Sequence, residues 1–218
     1  MTNNNLFNTF GKHFKENFWL YVITLLCICT GIVLGIYTVK YMGEAEKSEL
    51  VSYLNSFTES TSKGSVSSRS IFMQTLKNNI PIILGVWFLG LTMIGIPLIL
   101  IIDIVKGYTI GFTIGFMANT LGAKGAGISL LMVLPQNIIY IPCIIMVSVI
   151  AMEFSLSILR DKINRKWTSN VWMKVFSYST AFIIVTIVMV IGFGIESYIS
   201  PHVVKMLASN SGVFAFGI

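Results

Sequence analysis

From Ile80 to Phe116 the chain is apolar with almost no interruption, and Gly107, Gly111 and Gly115 recur inside that run four residues apart. A helix on a soluble core needs only one apolar stripe. A segment apolar on every face and this long fits a bilayer, which it can cross and re-cross. Glycines four apart share one helix face, and in lipid such a face lets two helices approach closely. The fold class expected is an all-α integral membrane protein. It is a bundle of about five transmembrane helices, with an extracytoplasmic amphipathic helix between the first two.

The charge content supports this. Only 11% of residues are charged, 55% are AVILMFWYC, and the mean hydropathy is +0.80. A soluble domain would carry about 25% charged residues. The net charge of +6 is dispersed and no basic-aromatic surface recurs, so nucleic acid is not an expected partner; basic residues flanking spans explain it. Cys27, Cys29 and Cys143 all lie in apolar runs, an odd number that suits neither a disulfide framework nor a metal site. The first apolar run is too long for a signal-peptide core and reads as a retained span.

The chain reads as one membrane domain, 1–218, with spans at about 18–39, 80–102, 107–120, 128–157 and 175–199. Gly31 and Gly35 form a second small-residue pair on the first span. The polar segment 40–79 holds Leu50, Leu54 and Phe57 at helical spacing, as an amphipathic helix on the membrane surface or against a partner would. The turn between the second and third spans is expected near Asp103 to Gly107, and the next near Gly122 to Gly127. Five of the fifteen Lys and Arg residues fall between Arg160 and Lys174. That loop should be cytoplasmic, with the N-terminus inside and the C-terminus outside.

Several polar residues have both a functional and a plain structural reading. The glycine ladders are a packing seam or, less simply, the wall of a path. Gln136 and Asn137, beside Pro135, either face a polar cavity or bond to neighbouring helices. Asp103 and Lys106 read as a solvated pair at an interfacial turn. Glu153 reads as an intramembrane acid that snorkels or pairs with Arg160. His13 and His202 have no partners at ligand spacing, and no nucleophile, phosphate-binding or metalloprotease motif occurs. No enzyme activity, cofactor or metal is expected.

The order of segments resembles the stage II sporulation protein M family. Phe72 and Leu76 precede Asn78-Asn79, then come Lys106-Gly107 with Gly111 and Gly115, then Leu134-Pro135-Gln136-Asn137. The resemblance covers nearly the whole chain through this combination rather than one motif. Where the wider family often has His-Gly and a nearby glutamate, this chain has Gln136, Asn137 and Tyr140. It therefore lacks an ionisable pair that transport could use. The resemblance implies a mother-cell membrane scaffold that holds a peptidoglycan amidase and a lytic transglycosylase at the sporulation septum during engulfment. On that reading Leu50, Leu54 and Phe57 dock the partner enzymes. A homo-oligomer is compatible with it. The second function class is a small-solute transporter or channel subunit with a polar path at the broken fourth span. The third is a lipid-organising assembly subunit.

Overall fold

Phe18–Tyr41 carries no charge before Lys40 and forms the first helix, α1, ended by Met42 in extended backbone. The computed structural model describes residues 11, 13–62, 68–92, 94–163 and 171–209. It describes side-chain surroundings for all of these except 54–55, 57–62, 68, 71, 120–136, 171, 195–196 and 198–209. Helix α2 is Glu44–Ser62, with Glu44 and Glu46 in its first turn, where the helix dipole favours acids. The Glu46 carboxylate reaches back to accept from the Gly43 N–H at 3.3 Å, half of a capping box. Helices α3 (Ser68–Gly90), α4 (Gly95–Ile163) and α5 (Val171–Ser209) follow.

Helix α4 is a run of 69 residues, which if straight would reach about 100 Å. Yet Ser148 Oγ donates to Asp103 Oδ1 at 2.7 Å, 45 residues away. The run therefore doubles back into two antiparallel arms, Gly95–Asn119 and Asn137–Ile163. A second tie, Ser155 to the Thr92 carbonyl at 2.7 Å, leaves the Gly122–Gly127 stretch midway between the paired residues.

Among the described residues, four segments are long and apolar enough to cross a membrane: Phe18–Tyr41, Gly95–Asn119, Asn137–Ile163 and Trp172–Gly194. The Asn137–Ile163 arm has 56% of its apolar window inside the bundle, against 28%, 28% and 22% for the others, so it is the central strut. Its neighbours turn Trp19, Leu26, Phe88 and Ile191 outward. Such faces are stable only against lipid or another apolar surface. Trp19, Trp172 and Phe176 gather at one end of the bundle and Tyr37 and Tyr41 at the other, as aromatic belts do.

The break between the second and third spans, expected near Asp103 to Gly107 with those spans at 80–102 and 107–120, is corrected. Instead, α3 ends at Gly90, the turn follows through Leu91 and Thr92, and one arm runs from Gly95 through Asp103 to Gly107 without a break. Thr92 Oγ caps that turn by donating to the Leu89 carbonyl at 2.8 Å. Pro97 is the third residue of α4, in the first turn, where its missing N–H costs nothing. Asp103 needs no turn because Ser148 supplies a partner inside the bundle. Helix α3 is not among the four apolar segments: Arg69, Gln74, Lys77, Asn78 and Asn79 make its first half polar.

Candidate functional site

The two glycine ladders meet. Gly31 lies against Ile104, Gly107 and Tyr108; Gly35 lies against Tyr108, Gly111 and Phe112. In return Gly107 faces Ile28, Gly111 faces Ile32 and Gly115 faces Ile36. The register advances in step on both helices, so α1 and the Gly95–Asn119 arm run parallel. A methyl group on Gly31, Gly35, Gly107 or Gly111 would strike the opposite helix's backbone, and on Gly115 it would come within 3.1 Å of Ile36 Cα. Gly31, Gly35 and Gly107 are buried. Contact at backbone distance is the packing that dispersion rewards when water cannot drive association.

Beside this seam, polar groups from three segments converge. Asn79 Oδ1 on α3 accepts from Lys106 Nζ at 3.0 Å and from Tyr140 Oη at 3.0 Å. Lys106 also lies 5.2 Å from the centre of the Tyr140 ring, within cation–π range. Asn79 Nδ2 donates to the Thr75 carbonyl at 2.9 Å. One turn along α4, Asp103 is fully buried and held by Ser148, and its Oδ2 has no hydrogen-bond partner among the described residues. Asp103 and Lys106 thus sit inside the bundle and hold different partners, where the sequence reading made them an interfacial pair. Antiparallel packing of the two α4 arms supplies those partners.

A second polar locus lies at the end of the bundle that carries the N-terminal residues. Glu153 pairs with His13 Nε2 at 2.7 Å, and His13 Nδ1 and Tyr21 Oη are 3.2 Å apart. The expected Glu153–Arg160 pairing is corrected by this contact. Seven residues along one helix is about 10 Å, whereas a helical turn at residues 13–16 lays His13 directly on Glu153. The hydrogen bond that His13 donates to the Glu153 carboxylate raises the His13 pKa above its ordinary 6.5, against burial, which lowers it. Lys174 pairs with Asp161 at 2.6 Å at this same end, so the N-terminal residues and the Arg160–Lys174 basic cluster share one face of the membrane domain.

Among the other predicted residues, Asn137 is buried at the start of the second arm. Leu50 is half-buried on α2, which packs against α5. The side chains of Leu54, Phe57 and Gln136 lie outside the described residues. Sequence reading missed Asn79, Tyr140, Ser148 and Thr92 as interior polar groups. The available signal was Asn78-Asn79 directly before an apolar run. Which residues they would meet depended on the fold-back of α4.

A family profile described as Stage II sporulation protein M matches residues 3–201. The chain belongs to this family. Comparison with curated proteins gives no match, and neither does comparison with solved structures. Membership makes this a sporulation-family protein with multiple membrane-crossing helices. Both glycine ladders, Asn79, the Asp103–Ser148 tie and the His13–Glu153 pair all fall within the matched region.

Proposed function

We propose that this stage II sporulation M protein is a non-enzymatic scaffold of the mother-cell membrane. It holds a septal amidase and a lytic transglycosylase while the septal wall is thinned for engulfment. The observation that carries this reading is the α1–α4 seam. Backbone-to-backbone packing over Gly31, Gly35, Gly107 and Gly111 joins α1 to α4, and the remaining described α1 and α5 faces expose large apolar residues such as Leu26, Tyr37, Phe176 and Ile191. A scaffold offers such faces to single-span partners. Helix α2 supplies a further surface at the opposite end from the basic cluster.

The test is affinity purification of the tagged chain from sporulating cells in detergent, followed by mass spectrometry. Recovery of both hydrolases, lost with Leu54→Asp/Phe57→Asp while membrane insertion persists, supports the scaffold and its α2 docking surface. Hydrolases retained by the double variant would remove α2 from the reading. A preparation free of hydrolases would remove the scaffold.

One observation favours the transport reading. A polar path needs several segments to contribute to one locus, and α3 and both arms of α4 do so at Asn79, Lys106, Asp103, Tyr140 and Ser148. Flux of ions or small solutes in proteoliposomes, abolished by Asn79→Leu, would move the assignment to transport.

A further inference from the structure

A groove of about 500 Å³ runs between the Asn137–Ile163 arm and α5. Its walls are apolar over most of its length, formed by Met146, Ile150, Ala181, Ile184 and Val185. At the end of the bundle that carries the basic cluster its lining becomes polar: His13, Glu153, Ser157, Lys174 and Ser177. We propose that this groove binds one anionic phospholipid, with an acyl chain along the apolar walls and the headgroup phosphate at Ser157, Ser177 and Lys174. The proposal does not depend on the scaffold reading.

Three observations select a lipid. The first is length. From Met146 to Ser157 a helix rises about 16 Å, close to the ~15 Å depth of one hydrocarbon leaflet. The groove thus fits one acyl chain better than a whole membrane-crossing helix.

The second is the polar end. Among the described residues the Ser157 and Ser177 hydroxyls make no hydrogen bond, while both line the groove. Lys174 uses one N–H on Asp161 at 2.6 Å and is 44% exposed, leaving donors for a phosphate. The two carboxylates there, Glu153 and Asp161, are already engaged by His13 and Lys174 and so do not repel an anion as free charges would.

The third is the field. Arg160, Lys162, Arg165 and Lys166 lie in the adjoining stretch of chain. Basic residues near a membrane surface favour an anionic lipid over a neutral one. The α4 sequence also places this polar end at the level where Trp172 and Phe176 mark the membrane interface. A headgroup belongs at that level. The corresponding α3–α5 groove, of about 460 Å³, is lined by Ile83, Leu84, Phe182 and Ile187 and lacks any charged residue, so it makes a built-in control.

The experiment is native mass spectrometry of the full chain in detergent, titrated with dioleoyl phosphatidylglycerol or dioleoyl phosphatidylcholine. The wild type should bind a single phosphatidylglycerol about tenfold more tightly than phosphatidylcholine. Ala181→Trp fills the apolar part and should abolish that adduct, whereas Ile187→Trp in the control groove should leave it. Ser157→Ala/Ser177→Ala should weaken phosphatidylglycerol about a hundredfold, the loss expected for two hydrogen bonds to a charged group. If Ala181→Trp fails to elute as a folded species, the serine pair decides. Equal binding of the two lipids by the wild type, or an undiminished adduct in the serine pair, would overturn the site.

Discussion

At the scale of single residues, what each glycine does is set by what stands opposite it. Gly111 faces the Ile32 backbone, while Gly85 on α3 has nothing within 4 Å of the position a Cβ would take. Gly111→Ala should therefore destabilise the protein by about 1–3 kcal/mol, the cost of overpacking a filled contact. Gly85→Ala should be neutral or stabilising by up to about 1 kcal/mol, because it only removes glycine's entropic penalty in a helix. Unfolding in mixed micelles by denaturing detergent measures both, and equal effects would contradict the seam.

His13 gives the residue-scale pH prediction. Its folded pKa is raised, so the His13–Glu153 contact is complete below about 6.5 and is lost as pH climbs through the higher folded value. A histidine-labelled NMR titration should show that midpoint falling in Glu153→Gln, since burial then acts with one hydrogen bond fewer against it. An unmoved midpoint would refute the contact.

At the scale of elements, one amide ties three segments together. Asn79 accepts from both Lys106 and Tyr140, so α3 is fixed to both arms of α4 through a single oxygen. Asn79→Leu leaves a half-buried ammonium without its acceptor and should cost about 2 kcal/mol. Lys106→Met should cost less, and adding it to Asn79→Leu should recover part of the loss. Additive losses in that double-mutant cycle would show that the two side chains do not interact. This tie also explains why α3 belongs to the bundle although its polar first half keeps it out of the four apolar segments. The doubling back of α4 follows the same logic. Asp103 is buried because Ser148 comes back to meet it, and the turn moves to just after Gly90, where Thr92 and Gly95 serve it.

At the scale of the whole molecule, the basic cluster and the N-terminal residues lie together, and α2 lies at the other end. With Cys27, Cys29 and Cys143 replaced by serine, single cysteines at Lys15 and Lys162 should share one labelling pattern with a membrane-impermeant maleimide. A cysteine at Glu49 should show the opposite one. The basic loop predicts that Glu49 is the outer position. Labelling of all three from one side would overturn the arrangement of crossings.

Sequence by itself determined that the chain lives in a bilayer, that it is helical, and that Gly31, Gly35, Gly107, Gly111 and Gly115 mark close-packing faces. These follow from composition and from periodicity along one helix, which are local properties. Tertiary structure decided which faces meet, where α4 turns, and which partners Asp103, Lys106 and Glu153 take. Those outcomes rest on contacts between residues tens of positions apart. A helix carries no record in its own spacing of what will lie across from it; a buried polar group takes the partner that the fold brings within hydrogen-bond reach.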